Sequence, residues 1–254
     1  MFPQITPVTR NIIILNVIFY IVSNFVSYPL LYDKFSGYFP LSPNFESWQI
    51  VTHMFMHSSF REPGGTLFHI IFNMFTLYSF GPVLEQVLGQ RKFIVLYFAA
   101  GLGGFLLFNL WNYYEVSQLT SYLTSQGFDI HDVYKTVDTR NIKYYPQFSD
   151  KEGIDSSARE LFAILKTPMV GASGAIFGII AAFSTLFPDA KLMFMFIPFP
   201  IKAKYLTPII IAVSIFLGLR QFSGDNIAHF AHLGGALIGF LFVWNWKKNR
   251  DRIQ

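Results

Sequence analysis

No cysteine occurs anywhere in the chain. That excludes a disulfide framework and any thiol chemistry, and it leaves the redox compartment unread. Charge is scarce too. Only 13% of the 254 residues are Asp, Glu, Lys or Arg, against about 25% in an ordinary globular chain. No HExxH motif, internal repeat or low-complexity tract occurs. Hydrophobic residues make up 52% and aromatic residues 19%, with 30 phenylalanines. Mean hydropathy is positive. This composition describes an all-α polytopic membrane protein and not a soluble domain. The net charge of +4 is not a nucleic-acid footprint, because the basic residues cluster between apolar segments. The lipid bilayer is the partner they imply.

Six apolar segments approach spanning length, roughly 11–31, 66–85, 92–112, 169–187, 205–221 and 226–246. The first lacks a small-x-small cleavage site and keeps Tyr28, Leu30, Leu31 and Tyr32 at its end, so it reads as a retained span. One side would hold Arg10, Arg91, Lys92, Lys191, Lys202, Lys204, Lys247, Lys248, Arg250 and Arg252; the short loops opposite hold Lys34, Arg61 and Arg220. The positive-inside rule then places both termini in the cytoplasm, and the expected home is a bacterial inner membrane. Residues 1–254 form a single membrane domain. Two long connections, 32–65 and the polar insertion 113–168, fall outside. The second carries a helix-start signal, Ser157 to Glu160, ahead of Leu161, Phe162, Ile164 and Leu165.

Spans two, four and six all run from outside to inside, and each carries polar residues near its start: His69 and Asn73, Ser173, and His232. About six residues into a helix is roughly 9 Å of depth, so the four groups are expected at one level. Such groups are costly there unless they face one another or a wet cavity. Gly174 and Gly178 lie four apart on span four, as do Gly235 and Gly239 on span six. Small-xxx-small faces let membrane helices approach closely. If these faces meet, Ser173 and His232 come within hydrogen-bond reach, the arrangement of an activated nucleophile. Ser173 sits in the first turns of its helix, where free N–H groups and the dipole favour an oxyanion. His69 and Asn73 share a face and offer further donors to it. Separate interhelical hydrogen bonds and plain packing are the structural alternatives.

Other groups compete. His229, three residues before His232, is a rival base. Asp225 is about 10 Å from His232 along the axis, too far to orient it and better placed to cap. Ser-Gly-Asp at 223–225 lacks the leading glycine of an aspartyl intramembrane-protease motif. His53 and His57 have i, i+4 spacing but no third ligand, so they read as a hydrogen-bonded loop and not a metal site. The Phe- and Met-rich stretch Leu192–Pro200 reads as an interfacial loop.

Gly171-Ala-Ser-Gly174, Ala231-His-Leu-Gly-Gly-Ala-Leu-Ile-Gly239, His69-Ile-Ile-Phe-Asn73 and Trp48 through His57 together resemble the rhomboid intramembrane serine proteases. The resemblance covers roughly residues 8–112 and 167–247. It implies a six-helix bundle with a water-filled cavity open to the outside. Ser173 is then the nucleophile and His232 the base, a dyad without a carboxylate. His69, Asn73 and the Ser173 N–H form the oxyanion hole, and Phe177 stacks on the imidazole. It implies hydrolysis of peptide bonds in or near transmembrane segments of membrane-protein substrates, with no metal or organic cofactor. Gln49 stands where many members have Arg, an insertion around Arg61–Thr66 lengthens the first loop, and 113–168 is longer than in compact members. The alternatives are a non-proteolytic relative that binds membrane clients, which characteristically lacks the serine or histidine, and a transporter, which often shows inverted repeats.

Overall fold

Pro7 opens helix α1 (Pro7–Ile21), where its missing N–H is no loss. Thr6, the preceding cap residue, makes no side-chain cap bond to the helix N–H groups. The cap comes from another helix. Glu85 of α4 (Phe68–Leu88) accepts the Val8 and Thr9 N–H groups at 3.0 and 2.8 Å and the hydroxyls of Thr6 and Thr9. A buried carboxylate is tolerable there because four donors at a positive helix end surround it. Gly81, one turn earlier in α4, leaves the space that Thr9 fills.

The structure, a computed structural model, describes residues 4–61, 66–138, 152–192, 200–220 and 228–250. Asp225 with the 223–225 stretch, residues 193–199 of the Leu192–Pro200 loop, 62–65 of the first-loop insertion, 139–151 of the outer insertion and Arg252 lie outside them. After α1 the chain makes one π-helical turn, Val22–Val26, then α2 (Leu30–Phe35) and the short α3 (Gln49–Thr52). Gly89 alone separates α4 from α5 (Gln90–Ser125). Its φ of +80° is left-handed, a conformation glycine adopts without strain. Helices α6 (Ile130–Val137) and α7 (Glu152–Lys166) follow, then α8 (Ser173–Leu186), α9 (Ala203–Arg220) and α10 (His229–Arg250). Among the described residues three helical stretches are long and apolar enough to cross a membrane: Pro7–Val26, α5 and α9.

Two sequence expectations need correction. The helix that carries the third apolar segment does not stop with it near residue 112: α5 has 36 residues, or roughly 54 Å at 1.5 Å each, far beyond a ~30 Å hydrocarbon core. Its last third belongs to a small second bundle, where Val116 and Leu123 pack with Val133 and Val137 of α6, Ala158, Leu161 and Leu165 of α7, and Phe39. The start signal at Ser157 also falls inside α7, which begins at Glu152. Burial at 158, 161 and 165 has helical spacing, and packing carries the helix back past a local cap.

This second bundle holds the first loop. Ser42 Oγ donates to Leu165 O at 2.7 Å and Asn44 Nδ2 to Val137 O at 2.9 Å. Gln49, 1% exposed, ties the loop from within. Its amide donates to Lys34 O and Asn44 O at 3.3 and 3.2 Å and accepts from Tyr38 N and Glu46 N at 3.3 and 3.1 Å. A neutral amide thus satisfies four backbone groups at this position.

Candidate active site

The site begins at a junction of three helices lined with glycine. A Cβ added at Gly235 would overlap the Gly174 carbonyl oxygen, and one at Gly239 the Gly178 oxygen. Helices α8 and α10 therefore meet backbone to backbone, as small-xxx-small faces permit. Helix α5 enters the same junction. A Cβ at Gly104 would lie 2.7 Å from Ala231 O, and one at Gly103 would collide with Ile238. Gly101 likewise makes room for Met54 of the first loop. Sequence reading passed over these α5 glycines, although Ala100 and Gly104 carry the same spacing.

Helix α8 has only 14 residues, about 21 Å, and Ser173 is its first. The expectation of a serine some six residues into a span is thus corrected. The serine opens a helix that starts late and does not sit within a full-length one. Residues 167–172 are non-helical, and irregular backbone at membrane depth needs internal partners. The first loop supplies them. Gly37 and Met169 exchange both backbone bonds at 2.9 and 2.8 Å, and Gly171 N donates to His53 O at 2.9 Å. Gly171 has φ +121°, and a Cβ there would lie 2.9 Å from His69 Nε2. Its glycine is required on both counts.

Across the seam His232 Nε2 lies 3.1 Å from Ser173 Oγ. Both residues are half-buried. Phe177, one turn on from Ser173, stacks on the His232 ring with centroids 4.0 Å apart and planes at 8°. His229 sits elsewhere: its ring centroid is 6.1 Å from that of His232 and nearly perpendicular, with its Cβ against Gly218 of α9.

The position that a Cβ on Gly171 would take is 3.6 Å from Ser173 Oγ, which places His69 beside the serine. Ser58 N donates to His69 Nδ1 at 3.0 Å. In the neutral ring that leaves the proton on Nε2, the nitrogen nearest Gly171. Asn73 Nδ2 donates to His69 O at 2.6 Å and keeps a second N–H to offer.

His53 and His57 hold the loop that carries Ser58. His53 Nδ1 bonds Gln49 O at 2.8 Å. His57 Nε2 bonds Asn16 Oδ1 of α1 at 2.8 Å, while Asn16 Nδ2 is spent on Ile12 O, so the imidazole is the donor. The His57 ring packs edge-on against His69, with centroids 5.2 Å apart. Burial lowers His53 to a pKa of about 4; burial and the His69 charge lower His57 to about 3. An unfolded chain would take those protons near pH 6.5. Stability from these two neutral rings is therefore whole above about pH 6.5 and is lost as the pH falls through their folded values. The apparent melting temperature in detergent is expected to drop steadily below about pH 6.5. His53→Gln should flatten that slope, at some cost in stability at neutral pH.

A family model described as "Rhomboid domain" matches residues 44–124 and 152–248, well over half the chain, with His69, Asn73, Ser173, Phe177 and His232 inside the match. Rhomboid protein 1, mitochondrial, of Saccharomyces cerevisiae is 29% identical over 195 residues, which is 77% of this chain and 40% of that protein. The human presenilin-associated rhomboid-like protein, mitochondrial, is 29% identical over 182 residues, 70% of this chain and 34% of the relative. The chain thus spans well under half the length of these two relatives. YdcA of Bacillus subtilis, provisionally named a rhomboid protease, is 22% identical over 255 residues, covering 99% of this chain and 94% of YdcA. A match that takes in the glycine seam, both halves of the serine–histidine pair and the first loop leaves one conclusion: the chain belongs to the rhomboid family and is a multi-pass integral membrane protein.

Proposed function

We propose that the chain is an intramembrane serine endopeptidase that hydrolyses peptide bonds in or near transmembrane segments of membrane-protein substrates. The observation that carries this reading is the 3.1 Å contact between Ser173 Oγ and His232 Nε2 at the start of a short, recessed helix. In this scheme Ser173 Oγ attacks the scissile carbonyl carbon while His232 takes its proton. The oxyanion is met by the N–H of Ser173 in the first helical turn, His69 Nε2–H and the second N–H of Asn73. The proton passes from His232 to the leaving amine as the C–N bond breaks. Water, deprotonated by the same imidazole, then releases the acyl group and regenerates the serine. The seam glycines Gly174, Gly178, Gly235 and Gly239 set the spacing of the pair, and Phe177 fixes the imidazole plane.

The dyad needs no cofactor for these steps. The proposal includes six spans (α1, α4, α5, α8, α9 and α10), both termini in the cytoplasm, and residues 32–65 and 113–168 on the outer side. A Bacillus relative matched over nearly its whole length supports a bacterial cytoplasmic membrane.

A serine-directed fluorophosphonate probe tests the reading. The protein in detergent is expected to be labelled, and Ser173→Ala to lose the label while remaining monodisperse and helical. Equal labelling of Ser173→Ala, or none of the unaltered protein, would reject an activated serine and leave a client-binding rhomboid-like protein.

A further inference from the structure

A cavity of about 550 Å³ lies far from Ser173, at the end of the molecule that holds the start of α5 and the end of α10. Its lining is ordered along α10. Ile238, Leu241 and Phe242 make an apolar wall, and Asn245, Trp246 and Asn249 follow one and two turns later. From residue 238 to residue 249 is roughly 16 Å along the axis. Lys92 of α5 closes the polar end, its Nζ 5.7 Å from the Trp246 ring centroid. Asn249 Nδ2 reaches Asn245 Oδ1 at 3.4 Å, so the two amides stand together beside the ammonium. Leu241 of this wall is exposed, and Ile238 and Phe242 are half-buried, so the trough is open to an apolar occupant.

Among the described residues, the charged groups at the start of α5 and along α10 are basic. Arg91 and Lys92 open α5 with no acid in its first turn. Lys247 and Lys248 are exposed near the end of α10, and α10 has no Asp or Glu in its sequence. The nearby Glu85 is committed to the start of α1. A groove with an apolar trough, paired amides and a cation at one end matches a glycerophospholipid, with the acyl chain in the trough and the phosphate at the rim. The cation excess selects an anionic headgroup over a zwitterionic one.

We propose that this groove binds an anionic phospholipid, with its phosphate on Lys92 and Asn245 and its upper acyl chain along Ile238, Leu241 and Phe242. The site is independent of the proteolytic reading, since it shares no residue with the serine–histidine pair.

The test uses the full chain in phosphatidylcholine nanodiscs doped with a minor share of phosphatidylglycerol, and reads by native mass spectrometry which lipid the protein retains. Retained lipid is expected to be enriched in phosphatidylglycerol. Lys92→Gln should lower that enrichment about fivefold, the effect of one basic contact near an anionic lipid, and Lys92→Arg should restore it. Lys34→Gln, in the first loop, should leave it unchanged. Brominated phosphatidylglycerol should quench a component of tryptophan fluorescence that Trp246→Phe removes. Equal retention of the two lipids, or undiminished enrichment in Lys92→Gln, would overturn the proposal. Displacement of the lipid by inorganic phosphate would reduce the site to an anion contact without a chain. A dimer retaining no lipid would assign the groove to a second copy of the chain.

Discussion

Alanine at Ser173 or at His232 is expected to abolish cleavage of a model transmembrane substrate, while each variant still folds and inserts. The loss should be on the order of 10⁶ in turnover, the scale seen when a serine hydrolase loses either partner of its nucleophile–base unit. Both single variants should be equally dead, because the hydroxyl and imidazole at 3.1 Å act as one unit, and the double variant should lose nothing further. Asn73→Ala is expected to fall between, slowed by up to ~10²–10³-fold as for one oxyanion donor. His229→Ala should keep most activity, since that ring is turned across its neighbour and seated against α9. Steady-state cleavage of a purified substrate in liposomes measures all five. Activity persisting in Ser173→Ala, or lost only in His229→Ala, would assign the chemistry elsewhere.

The sequence showed the groups of the site more plainly than the depth at which they sit. The glycine pairs of spans four and six were readable because small-xxx-small spacing is a local pattern. Their partner face on α5 has the same pattern but carries no polar residue to draw attention to it. The start of α8 at Ser173 was hidden for a different reason. Thr167 to Ala172 is apolar enough to pass for helix, and it stays non-helical because Gly37 and His53, far away in sequence, take its backbone groups. The long run of α5 was hidden by composition. Residues 113–125 are polar with interspersed aromatics, and their apolar positions make sense only once α6 and α7 are there to cover Val116 and Leu123. Nor does local sequence show that a buried carboxylate caps α1, because Glu85 lies 76 positions from Thr9. In each case a long-range contact decides a local conformation.

The seam itself supplies the second large effect. Gly235→Ala is expected to destabilise the protein by about 3 kcal/mol or more, the upper end of the range for overpacking a tight interior. The reason is the identity of the obstructing atom. A methyl group at 235 would fall on the carbonyl oxygen and carbon of Gly174, which are backbone and cannot rotate away. The two helices must move apart, and since Ser173 and His232 ride on those helices, their contact must lengthen with the seam. Fluorophosphonate labelling should therefore fall together with stability. Gly178→Ala provides the contrast, because its nearest obstacle is the Ala100 side chain, with the Gly235 oxygen at 2.9 Å behind it. Adding Ala100→Gly is expected to recover part of the loss at Gly178. No side-chain change at position 174 can rescue Gly235→Ala, because the clash there is with peptide atoms. Leu237→Ala, at a position 54% exposed on α10, should leave both readouts near their starting values. Thermal unfolding in detergent and probe labelling of these four variants separate the outcomes. Near-normal stability and labelling in Gly235→Ala would mean that α8 and α10 are not in backbone contact, and the spacing assigned to the serine and histidine would lose its cause.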